Sequence, residues 1–60
     1  MRFAEVLDSM TDGEVMAMRE GWPGVVVTIG NGRMTFTDGY GTSEYMASAE
    51  DVLADDWVVI

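Results

Sequence analysis

The sequence predicts an α+β fold: a small antiparallel sheet, an N-terminal helix, and a short second helix before the last strand. Three observations predict it. Phe3, Val6, Leu7 and Met10 recur at helical spacing. Two strand-forming runs, residues 25–29 and 33–37, flank Gly30-Asn31-Gly32, whose residues tolerate positive φ. Ser48, with Glu50 and Asp51 behind it, opens a helix that Asp55-Asp56 stops just before an apolar tail.

Taken in order, the first helix gathers its apolar stripe while Arg2, Glu5, Asp8 and Ser9 fall mostly off it. Asp12-Gly13 ends it in a turn. Residues 15–19 (Val, Met, Ala, Met, Arg) read as a strand with apolar side chains on both faces, as expected if one face meets the helix and the other a partner chain. Arg19-Glu20-Gly21-Trp22-Pro23-Gly24 follows, where two glycines flank a tryptophan and the only proline. It is a sharp loop that presents an indole. In the hairpin, Val25, Val27 and Ile29 share one face, and Met34 and Phe36 share a face of the returning strand. Residues 38–43 (Asp, Gly, Tyr, Gly, Thr, Ser) read as a long polar loop, and so as a functional candidate. Val52 and Leu53 are the expected buried side of the second helix. Residues 57–60 form the last strand, paired with residues 15–19 or with the hairpin. Phe3, Phe36 and Trp57 are the expected aromatic core.

Sixty residues make a single domain, 1–60. Such a chain buries only about 60% of its unfolded surface. With no cysteine and no histidine, disulfides and structural zinc are excluded. The spacing of the acids fits no calcium loop, so neither a metal nor a cofactor is expected. A small chain without such staples, 48% hydrophobic, is expected to associate with copies of itself. Eleven acids stand against Arg2, Arg19 and Arg33, a net charge of −8 with no lysine. That balance argues against DNA or RNA backbones and against anionic membranes. No stretch reads as a signal peptide or membrane span, which makes the cytoplasm the expected compartment.

Nucleophilic catalysis of the usual kinds needs a base that His, Lys or Cys would supply, and the chain has none of them. Ser9, Ser43 and Ser48 lack a nucleophile-elbow context, and the glycine-rich pieces match no phosphate-cradling fingerprint. Asp38, Glu50-Asp51 and Asp55-Asp56 read as solvated acids. No catalytic residue is nominated. The aromatics remain. Trp22 is either a stacking surface for a ligand or a wedge against a neighbouring subunit. Tyr40 and Tyr45 each offer a ring and a hydroxyl. Arg19 forms a surface ion pair with Glu14 or Glu20, or holds a phosphate through its fork of donors.

Two stretches carry a family resemblance. Phe3-Ala4-Glu5-Val6-Leu7, Gly13 and then Arg19-Glu20-Gly21-Trp22-Pro23-Gly24 resemble the opening of the phage Thoeris anti-defence proteins of the second described type. Residues 47–57, Ala-Ser-Ala-Glu-Asp-Val-Leu-Ala-Asp-Asp-Trp, resemble their ending. The resemblance implies a homotetrameric sponge that sequesters cyclic ADP-ribose isomers, and in some members cyclic oligonucleotides, without degrading them. It implies action in the cytoplasm of an infected bacterial host. By position it assigns ligand binding to Arg19, Trp22, Gly24, Tyr45 and Ser48, with the start of the second helix facing a phosphate. Pro23 stands where the family has Asn, and the middle of the chain is shorter. Two other readings compete: a small hydrolase using Asp38 and Glu44, and an acidic module that engages a basic host protein.

Overall fold

The computed structural model describes residues 1–60. Helix α1 (Phe3–Asp8) starts where Glu5 Oε1 accepts from Arg2 N at 2.8 Å, and Ser9 Oγ donates back to Glu5 O at 2.8 Å. Its six residues are too few to bury the whole predicted stripe. Phe3 and Val6 are buried, whereas Leu7 and Met10 stay 39% and 37% exposed. The turn after α1 has positive φ at both Asp12 (56°) and Gly13 (78°), which lets Thr11 and Glu14 exchange two backbone hydrogen bonds of 3.0 Å.

Strand β1 (Glu14–Arg19) pairs antiparallel with β2 (Val26–Gly30) on one side and β5 (Trp57–Val59) on the other. Of the two partners predicted for the last strand, β1 is the one it takes, with Arg19 opposite Trp57. The β2–β3 hairpin turns on Asn31 (φ 54°) and Gly32 (φ 72°) and continues into β3 (Arg33–Asp38). Val25 lies just outside β2, half-buried.

The loop expected at residues 38–43 does not exist. Asp38 Oδ1 caps Tyr40 N at 2.8 Å, the chain reverses over Gly39-Tyr40, and β4 (Gly41–Glu44) pairs with β3. All four β4 residues are exposed, so no apolar alternation betrays the strand. Backbone pairing and a 2.9 Å contact between the Thr37 and Thr42 hydroxyls hold it at the sheet edge. The sheet order is β4-β3-β2-β1-β5.

The core is small: Phe3, Val6, Val15, Ala17, Val27, Ile29, Tyr45 and Trp57. Met34 and Phe36 pack against it half-buried, so Phe36 is rim rather than centre. Alternation sends Met16 and Met18 of β1 to the other side, where Met18 faces Val58 and Met16 faces Thr28. Helix α2 (Ala49–Leu53) corrects a further expectation: it buries nothing, and Val52 and Leu53 are 45% and 72% exposed. Five residues make too short a helix to present an apolar face, and α2 is held by polar bonds instead. No helix is long and apolar enough to cross a membrane.

Candidate functional site

The indole of Trp22 is placed by a tight turn. Trp22 N donates to Arg19 O at 3.1 Å, and Gly21, the third residue of that turn, has φ 89°. A side chain is disfavoured there, which is why the sequence needs glycine at this point. The turn is tied to the far end of the chain by Glu20 N donating to Asp56 O at 2.9 Å. Trp22 is half-buried in an aromatic row. Its ring meets Trp57 at 5.4 Å and 73°, and Tyr45 at 6.5 Å and 71°, while Trp57 meets Phe3 at 5.2 Å. The two contacts of Trp22 are edge-to-face and that of Phe3 with Trp57 is tilted at 57°; such pairs contribute about 0.5–1.5 kcal/mol each beyond area burial.

A cleft of about 310 Å³ opens beside this row, walled by Trp22, Pro23, Val25, Phe36, Tyr45 and Asp51. Asp51 is the hub behind it. Its Oδ2 accepts from the Tyr45 hydroxyl at 2.8 Å and its Oδ1 from Arg19 Nη1 at 2.9 Å. Its backbone carbonyl accepts from Trp57 Nε1 at 2.8 Å, and its N–H donates to Ser48 Oγ at 3.2 Å. One acid thus fixes a tyrosine, a tryptophan, an arginine and a helix cap. Arg19 also grips Asp56, through Nε at 2.8 Å and Nη2 at 3.4 Å, and Glu50 stands 3.6 Å from Nη1. Its guanidinium carbon lies 6.0 Å from the Trp22 ring centroid.

The electrostatics follow from these bonds. Burial pushes the Tyr45 phenol up from its ordinary value, and its bond to the Asp51 carboxylate pushes it further. Burial alone would raise Asp51 as well, but the hydrogen bonds from Tyr45 and Arg19 outweigh it and hold the carboxyl below its usual range. Asp56 is lowered by its hydrogen bond from Arg19, and Arg19 is raised by Asp56 first and Asp51 second. No three carboxylates converge to hold a metal ion.

Of the residues assigned by position, Trp22 and Tyr45 come together on the cleft wall. Arg19 sits behind Asp51, paired with Asp51 and Asp56 rather than with Glu14 or Glu20. Gly24 (φ 69°) shapes the chain between Pro23 and Val25, which do line the cleft. Ser48 caps α2 by accepting from Asp51 N, and the Ala49 and Glu50 amides, expected to face a phosphate, precede that bonded position. Tyr40 is fully exposed at a hairpin tip. The sequence reading missed Pro23, Val25, Phe36 and Asp51 as lining residues. Phe36 reads as core and Asp51 as a helix-start acid, and neither pattern says which surface they share. A larger hollow of about 430 Å³ beside the end of α1 has Asp12 and Glu14 in its wall and no ring or cation, so it offers neither stacking nor anion binding.

The family model of the Thoeris anti-defense 2-like domain (Tad2-like) matches residues 1–60. No curated protein and no solved structure matches the chain.

Proposed function

The chain belongs to the Thoeris anti-defense 2-like family, and from that premise we propose that it binds and sequesters a cyclic nucleotide immune signal of the cyclic ADP-ribose class without degrading it. Membership implies a Thoeris anti-defence role, and the family is an anti-defence family rather than a known enzyme family. The observation that carries the finer reading is the aromatic cleft. A base stacked on a ring such as Trp22 contributes about 1–3 kcal/mol, and Tyr45 gives the cleft a second ring. Sequestration needs affinity and copy number, which suits a site built of rings and one carboxylate.

The cleft's 310 Å³ lies at the lower end of the roughly 300–1,000 Å³ of ligand pockets, so one copy holds part of a dinucleotide-sized guest. We therefore place self-association within the proposal, with the homotetramer as its expected form. The amount of exposed surface does not demand a partner. It is 4138 Å², against about 3,900 Å² expected for a free monomer of 6.6 kDa. The location of the apolar surface supports one: Met16, Val58 and Ile60 are 43%, 47% and 66% exposed on or beside the helix-free face of the sheet. Such a sponge works where its signal accumulates, in the cytoplasm of the infected host.

The test is incubation with cyclic ADP-ribose isomers followed by filtration. Free ligand should disappear from the filtrate, and heating should return it intact. Recovery of a hydrolysed product would mean catalysis and end the sponge reading.

A further inference from the structure

Resting on that reading, we propose that the Trp22–Tyr45 cleft is selective for the uncharged nucleoside end of its ligand: a flat ring system bearing a hydrogen-bond donor that Asp51 accepts, with every phosphate held outside.

Five of the six lining residues are aromatic, aliphatic or proline, and the sixth is a carboxylate. No cation lines the cleft. The nearest, Arg19, has Nε, Nη1 and Nη2 all engaged with Asp56 and Asp51, and Glu50 adds a third acid beside it. A phosphate entering here would meet surplus negative charge and no free fork of donors. Like charges held this close repel even at a high effective dielectric.

Asp51 also has acceptor capacity to spare. An ionised carboxylate offers about four acceptor positions. Arg19 occupies one on Oδ1 and Tyr45 one on Oδ2. The side chain lines the cleft and keeps 16% of its surface exposed, which leaves room for one further donor. Its bonds to Arg19 and Tyr45 keep it ionised at neutral pH, and therefore an acceptor only. In adenosine the donors are the exocyclic amine and the ribose hydroxyls. Stacking on Trp22 tolerates any base, whereas Asp51 asks for a donor.

The experiment titrates the full-length protein with adenosine, AMP, pyrophosphate, purine riboside and 2′,3′-dideoxyadenosine, following tryptophan resonances at up to millimolar ligand. Adenosine should bind about two- to fourfold tighter than AMP, whose phosphate, like those of the cyclic signal, stays outside the cleft but within reach of the Asp51 charge, and pyrophosphate should leave the indole signals unmoved. Weakening by purine riboside identifies the amine as the donor; weakening by the dideoxynucleoside identifies the ribose. If neither analogue binds more weakly, neither the amine nor the 2′ and 3′ hydroxyls donate to Asp51, and the proposal falls, because the remaining 5′ oxygen is esterified in the cyclic signal. Asp51→Asn should raise AMP relative to adenosine, an exchange of preference that mere loosening of the cleft would not produce. Should that variant not fold, the wild-type series still decides. Pyrophosphate or AMP competing with a cyclic ADP-ribose isomer better than adenosine does would overturn the inference and leave sequestration standing. Adenosine binding without any capture of the isomers would do the reverse.

Discussion

Replacing Trp22 by alanine separates its two roles. Truncating a fully buried Trp costs about 3–5 kcal/mol, so a half-buried one should cost about 2 kcal/mol. The edge contacts to Trp57 and Tyr45 give a consistent sum of about 1–3 kcal/mol. For 60 residues, total stability is on the order of 3–9 kcal/mol, so the variant should fold but with a clearly lowered urea midpoint. Binding should weaken by the lost stacking, about 1–3 kcal/mol, or about five- to 150-fold by calorimetry with a cyclic ADP-ribose isomer. Trp22→Phe keeps a ring and should lose less than half of each effect. Unchanged affinity in a folded Trp22→Ala protein would remove Trp22 from the site. Loss of the oligomer instead, with Trp22→Phe normal, would make the indole a wedge between subunits.

Gly21→Ala forces a Cβ onto φ 89° and should cost about 1–2 kcal/mol in denaturant titrations, with weaker ligand binding as the Trp22 turn shifts. Tyr45→Phe deletes the donor to Asp51 Oδ2 and should cost about 1–2 kcal/mol while leaving the ring to stack. Stability should also depend on pH at both extremes. The lowered Asp51 and Asp56 contribute fully above the unfolded carboxylate value of about 3.9 and lose that contribution as pH falls through their folded values. Tyr45, raised in the folded state, contributes fully below about pH 10 and loses its contribution as pH climbs above it. A urea midpoint that stays flat from pH 5 down to pH 2 would contradict the acid arm. Val58→Glu, on the helix-free face opposite Met18, should shift the mass in solution towards monomer with little change in the far-ultraviolet spectrum.

What was legible in the sequence is what local chemistry decides. Asn31-Gly32 and Asp12-Gly13 announce their turns because only a few residues adopt positive φ at two successive positions. Trp22 and Tyr45 stood out as rings without an obvious place in the core. β4 was illegible because an exposed edge strand of Gly, Thr, Ser and Glu has the composition of a loop and is held by its neighbour's backbone. The partners of Arg19 were illegible for another reason. Asp51 and Asp56 lie 32 and 37 positions away, so no spacing rule links them, whereas Glu14 and Glu20 are near in sequence and make no ion pair with it. Val52 and Leu53 misled because a helix period predicts a buried face only when the helix is long enough to have one.

The pairing of β5 with β1 joins Arg19 to Trp57 across most of the chain, while the β1–β2, β2–β3 and β3–β4 hairpins close locally. Closing a long loop is entropically the harder step, so the hairpins are expected to assemble early and β5 to dock last. Trp57 then arrives after the turn it supports, and the indole of Trp22 lacks its nearer ring contact until it does. The binding surface is thus the final piece of the molecule to mature, and a chain still waiting for β5 could form hairpins yet capture nothing.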